Sequence, residues 1–186
     1  MSSLLAAGIN PNCRDKQGTS VLGIAAHYGR EEALLLLLDF DSDIEATNLD
    51  GATPLNMAIF GKQPVCAALL LVYGADAYGD SDAMGDAGVM GTPTIRALFN
   101  AYDSNATHPL LVSAERKCRE RMQQTLRKLC ELNGEAPVNL ERLQRMITRA
   151  RNVGADEEQV VAAEQLVERE RAACASRAST SVRGSE

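Results

Sequence analysis

Gly18-Thr19-Ser20-Val21-Leu22-Gly23-Ile24-Ala25 and Gly51-Ala52-Thr53-Pro54-Leu55-Asn56-Met57-Ala58 are two statements of one pattern. Gly18 returns as Gly51, Leu22 as Leu55, Ala25 as Ala58, Leu37 as Leu70 and Asp43 as Asp76, each pair 33 residues apart. Each copy holds one turn signal and two short helical patterns. A fixed period of that size marks a stack of helical hairpins rather than a closed globule. The stretch from Asp15 to Asp80 therefore decides the fold.

The local chemistry of the repeat is legible. Asp15-Lys16-Gln17-Gly18 makes a tight turn in which Gly supplies a positive φ. Ser20 and Thr53 are placed to cap the short helix behind the turn, and Pro54 suits its first turn, where no N–H is needed. Small Ala25 and Ala58 let neighbouring hairpins approach. A second helix is predicted over 31–39 and 64–73, with Leu34, Leu37, Leu38, Leu69 and Leu70 at helical spacing as the spine of the core. Gly74 closes the second copy in the left-handed region. Asp41 takes that place in the first, a residue type that tolerates it.

In these motifs the chain resembles the ankyrin-repeat family, whose signature is D-x-x-G-x-T-P-L-H-x-A. The resemblance covers about residues 4–102. It implies an all-α ankyrin solenoid, specific for fold and generic for function. The chain departs from the signature at Ser20-Val21, which stand for Thr-Pro. Gly23 and Asn56 stand for the family's His, so the bridging hydrogen bonds of that His are not expected.

Outward from the two clear repeats the pattern weakens. Residues 4–12 sit one period before Leu37 onward and read as the tail of a repeat acting as a minimal cap, the alternative being that another chain covers the apolar edge of Leu34–Leu38. Gly91-Thr92-Pro93-Thr94-Ile95-Arg96-Ala97-Leu98 restates the turn and first helix of a third, degenerate repeat, its Thr-Pro arriving 39 residues after Thr53 instead of 33. Residues 80–90, rich in Gly and Asp, then read as an enlarged, mobile finger loop. A long helix is expected from about Pro109 to Leu132, its apolar face carrying Leu111, Ala114, Cys118, Met122, Leu126 and Leu129. A helical hairpin follows, with Asn139 capping one helix (Leu143, Met146, Ile147 and Ala150 inward) and Asp156 opening the other (Val160, Ala163, Leu166 and Val167 inward). The domain reading is an ankyrin domain over 1–105, a helical unit over 106–174 and a disordered tail over 175–186.

Composition narrows the function classes. The chain has 186 residues, no Trp, three Phe and four Tyr, yet is 45% hydrophobic, the profile of an Ala- and Leu-rich helical protein. It contains no run of about 18 uncharged apolar residues, so no membrane span is expected, and Met1-Ser2-Ser3 opens no secretory signal. Five cysteines at unrelated spacings, without a CxxC or a Cys/His cluster, argue against zinc and disulfides and for a reducing, cytoplasmic or similar intracellular compartment. Asp39-Phe40-Asp41-Ser42-Asp43 imitates the start of a calcium loop but has Ile44 and Asp50 where that loop needs Gly and Glu. With only His27 and His108, no paired nucleophile and no phosphate loop, no catalytic, cofactor or metal site is expected. Residues 1–108 hold five Lys/Arg against thirteen Asp/Glu, whereas 114–151 hold ten against five. The basic run Arg116-Lys117, Arg119, Arg121, Arg127-Lys128 is interleaved with Glu115, Glu120 and Glu131 and has no aromatics, which favours a solvated helix face over nucleic acid or membrane.

What remains is protein binding. The ankyrin resemblance implies a partner on the concave side, at the turn tips and the exposed face of each first helix. Lys16, Gln17, Leu49 and Asp50 fall at the tips. His27 and Tyr28, then Phe60, then Phe99 and Asn100 fall on successive first helices when the third is aligned on Ala97. The function so indicated is a non-catalytic protein-interaction or scaffold module, a subunit of a larger assembly with another protein as partner. Its alternatives are a regulatory adaptor linking a client on the repeats to a second machine on the C-terminal helices, and an anionic lipid or nucleic-acid binder acting through the basic helix.

Overall fold

The computed structural model of the chain describes residues 10–79, 83–131 and 157–182, together with 144, 145, 147, 148, 150 and 151. It divides into two compact units, Met1–Arg116 and Lys117–Glu186. Among the described residues no strand occurs, only an isolated bridge between Arg14 and Ser20. The fold is all-α.

In the first unit helices α1 (Val21–His27) and α2 (Glu31–Asp39) form one hairpin, α3 (Pro54–Phe60) and α4 (Pro64–Val72) the next. Ser20 Oγ caps α1 by accepting from the Gly23 amide (3.1 Å). Thr53 caps α3 in a reciprocal box with Asn56, whose Oδ1 accepts from the Thr53 amide (3.0 Å) while Thr53 Oγ1 accepts from the Asn56 amide (3.4 Å). Pro64 opens α4 at a position where its missing N–H costs nothing. Leu34, Leu37, Leu38, Leu69 and Leu70 are all but fully buried, as their spacing required. Burying each such side chain contributes about 1.5–3 kcal/mol.

The period of 33 is carried in the backbone as well as in the side chains. Asp41 and Gly74 both take a positive φ after their second helices (64° and 91°), and Gly29 and Lys62 do so between theirs (64° and 58°). Stitching between repeats follows the same step. Asn12 Oδ1 accepts from the Asp43 amide and Glu45 Oε1 from the Asp76 amide, both at 2.8 Å. Of the N-terminal cap expected over 4–12, Pro11 and Asn12 accept hydrogen bonds from Ser42 and Asp43 of the first repeat, while 4–9 lie outside the described residues.

The third repeat corrects the sequence reading. Residues 83–89, expected in a mobile loop, form helix α5 (Ala83–Val89), and Thr92-Pro93 opens α6 (Pro93–Asp103), the second helix of the hairpin rather than the first. Twenty-nine residues separate Pro54 from Ala83 and also Pro64 from Pro93, so this repeat is four residues short of the period before its first helix. First helix packs on first helix (α1 on α3, α3 on α5) and second on second (α2 on α4, α4 on α6). Ala83 and Ala87 are fully buried, which is why an Asp/Gly-rich stretch still folds as a helix. Asn56 donates from Nδ2 to Asp86 Oδ2 (2.6 Å). A bridge between repeats therefore exists at the position where the family's His is missing.

Helix α7 (Pro109–Glu131) starts behind His108, whose Nδ1 accepts from the Leu110 amide (3.2 Å). Ala114, Cys118 and Met122 are buried, one turn apart, and Leu111 is half-buried. The side chains of Leu126 and Leu129 lie outside the described residues, as do Asn139, Leu143, Met146 and Asp156. In the second unit Ile147 and Ala150 are buried, and so are Val160, Ala163, Leu166 and Val167 of α8 (Glu157–Val182). Arg151 and Glu164 join the two stretches by an ion pair (2.8 Å). Helix α8 runs on through Ala175–Val182, which the sequence reading assigned to a disordered tail. No Gly or Pro interrupts it between Asp156 and Gly184.

Candidate partner-binding face

The turn tips are built alike in the first two repeats. Asp15 Oδ1 accepts from the amides of Gln17 (2.9 Å) and Thr19 (2.8 Å), and Asn48 Oδ1 from those of Asp50 (3.0 Å) and Ala52 (2.8 Å). The Leu49 amide donates to the Gln17 carbonyl (3.0 Å), and the Arg14 guanidinium donates to the carbonyls of Gly18 and Thr47. These bonds bring Lys16, Gln17, Leu49 and Asp50 side by side, all exposed, with Leu49 at 81%.

The second group sits at the other end of the first helices, about 10 Å away for a seven-residue helix at 1.5 Å per residue. Tyr28 is 63% exposed and meets the His27 ring edge to face at 5.0 Å. His27 and Phe60 are half-buried. Gly61 lies so close that a Cβ there would fall 2.0 Å from the His27 carbonyl oxygen, and this backbone contact brings the ends of α1 and α3 together. His27 Nδ1 is buried with no hydrogen-bond partner among the described residues.

Phe99 and Asn100 do not belong to this group. Both stand on α6, a second helix; Phe99 is core, 1% exposed, and Asn100 faces outward elsewhere. With the third repeat in its observed register, Val89 matches Phe60 and Met90 matches Gly61. Val89 is 85% and Met90 55% exposed. Aligning Ala58 with Ala87 and Pro64 with Pro93 would have found them in the sequence. The shortened turn hid them, because Thr92-Pro93 imitates Thr53-Pro54.

The connections carrying Asp43, Glu45 and Asp76 are acidic. Burial pushes the Glu45 carboxyl up, against the Asp76 amide it accepts from, and the charges of Asp76 and Asp43 push it further. Tyr78 donates its hydroxyl to Asp103, and chiefly that bond pushes its pKa up to about 12. On α7 exposed Arg116 and Arg119 alternate with exposed Glu115 and Glu120, a mixed-sign face. Among the described residues no cluster of three His, Cys, Asp or Glu is placed to hold a metal, and no helix is long and apolar enough to cross a membrane.

Residues 1–79 match the family model for ankyrin repeats in three copies. Over 129 residues the chain is 30% identical to the B-cell lymphoma 3 protein homolog of Mus musculus, covering 63% of this chain and 29% of that protein. It is 39% identical over 61 residues to the mouse NF-kappa-B inhibitor delta (32% of this chain, 19% of the relative). To protein phosphatase 1 regulatory subunit 12A of the same species it is 40% identical over 55 residues (30% and 5%). The chain spans less than a third of each of these relatives.

Proposed function

Since residues 1–79 of the chain are ankyrin repeats, protein-interaction modules as a class, we propose that this chain is a non-catalytic binding module. It captures a protein partner on the first-helix ends, with the finger tips as a second contact zone. The observation that carries the reading is the set of apolar side chains that reach the surface at the first-helix ends: exposed Tyr28, half-buried Phe60, and exposed Val89 with Met90. Aromatic and Met side chains exposed in line cost solubility and are the residue types that anchor interfaces. Cys13, Cys66 and Cys118 are thiols outside any disulfide, which fits work in a reducing intracellular compartment. Affinity purification of the intact chain from its native cell, in wild-type and Tyr28→Ala/Phe60→Ala forms, tests the reading. Partner capture is expected to disappear while the chain stays folded, with a modest drop in melting temperature from the half-buried Phe60; capture that survives both changes overturns it.

A second reading, a regulatory adaptor, is favoured by the separate compact unit Lys117–Glu186. Relatives named as an inhibitor and as a regulatory subunit point the same way. On that reading the Tyr28→Ala/Phe60→Ala chain keeps one set of partners and loses another. If one purification loses every partner together, the adaptor reading fails.

A further inference from the structure

Residues 1–108 contain five Lys/Arg against thirteen Asp/Glu, and the five are not scattered. Arg14 and Lys16 lie in the first finger. The other three fall one to a repeat, beside the apolar row. Arg30 follows Tyr28 by two residues, and Lys62 follows Phe60 by two; both are exposed. Arg96 lies on α6, but its guanidinium donates to the Gly91 carbonyl (2.9 Å), which returns its charge to the loop carrying Met90. Glu31 and Glu32 adjoin Arg30, so the net positive charge rests on the second and third repeats. An acidic unit thus has one edge that is apolar and basic.

The spacing of this edge specifies what fits it. Packed helices lie about 8–10 Å apart, and α1, α3 and α5 are packed in succession. One heptad of α-helix rises about 10.5 Å. We propose that the edge docks an acidic amphipathic α-helix of the partner, crossing the three first-helix ends. It seats one apolar residue per heptad on Tyr28, on Phe60 and on Val89 with Met90, and sets carboxylates beside Lys62 and Arg96. The proposal rests on the binding face described above and adds the chemistry of its ligand.

A displayed library of single helices, randomised at surface positions and selected on the intact chain, tests it. Enriched helices are expected to repeat an apolar residue every seventh position and to carry net negative charge. Their affinity should weaken with salt, and about tenfold with Lys62→Asp plus Arg96→Glu, as expected for the loss of two interfacial charge pairs. The milder Lys62→Gln/Arg96→Gln pair should give a smaller loss, with both forms checked for an unchanged melt. Enrichment of neutral or basic helices, indifference to the charge changes, or no enrichment over the unselected pool overturns the proposal. If wrongly charged helices are captured and Tyr28→Ala/Phe60→Ala releases them, only the ligand chemistry falls. Captured helices that ignore those two changes remove the binding face itself.

Discussion

Ala67, Ala68 and Leu71 of the second repeat are buried, whereas Arg96, Ala97 and Asn100, which occupy the same places in the third, are exposed. The inward positions do not differ in this way. Cys66, Leu69 and Leu70 correspond to Ile95, Leu98 and Phe99, and all six are buried. The second repeat therefore presents two apolar faces and the third only one. An interior hairpin needs a neighbour on both sides, while a terminal one must turn a polar face outward. The comparison teaches that the third repeat is the end cap of the stack, built on the same hairpin. Its irregular sequence is the consequence of that position.

Core substitutions test the comparison most strongly. Phe99→Ala should cost about 3–5 kcal/mol in denaturant unfolding, because it empties a buried site. Asn100→Ala, one residue on, should stay within about 0.5 kcal/mol. Equal effects would remove the distinction between an inward and an outward face on α6.

The first-helix ends give the next contrast. Gly61→Ala forces a Cβ to within 2.0 Å of the His27 carbonyl, so the two repeats must shift apart; the expected loss is about 1–3 kcal/mol. Met90→Ala at the matching place in the third repeat should leave the melt unchanged, since Met90 is exposed. Asn56→Ala removes both the capping box and the bond to Asp86, and about 1–2 kcal/mol should go with them. Asp86→Ala, which keeps the box, should lose less than that.

Much of this was readable from the residues themselves. Leu37, Leu70, Asp41, Gly74 and Thr53 do what their types and spacing require. The third repeat was not, because a Thr-Pro pair serves equally well at the start of a first or a second helix. Only burial of Ala83, Ala87 and Phe99 separates the two readings. Helix α8 was misjudged at its end for the converse reason: Ser and Thr suggest a tail, but no breaker interrupts the helix before Gly184.

Two smaller effects sharpen the account. Lys62 holds the left-handed conformation that Gly29 holds in the first repeat, so Lys62→Gly should stabilise by about 0.5 kcal/mol, strain relieved less the backbone entropy of Gly. Glu45, held above its ordinary 4.5, binds its proton more tightly folded than unfolded. That contribution to stability is complete below the ordinary value and is lost as pH rises through the folded one. Glu45→Gln keeps an oxygen for the Asp76 amide and removes the proton. Relative to it, the wild type should therefore lose stability as pH rises through that window, read as the difference between two pH-melt curves. Parallel curves would mean that folding does not raise the Glu45 carboxyl.

Amide hydrogen exchange on the intact chain tests the central claim most directly, since the binding face depends on residues 83–89 being the first helix of a third repeat. Protection over Ala83–Val89 within reach of that over Pro54–Phe60 is the predicted result. Exchange of 83–89 at the rate of an unstructured chain, beside a protected Pro93–Asp103, would restore a loop at this place and remove Val89 and Met90 from the face.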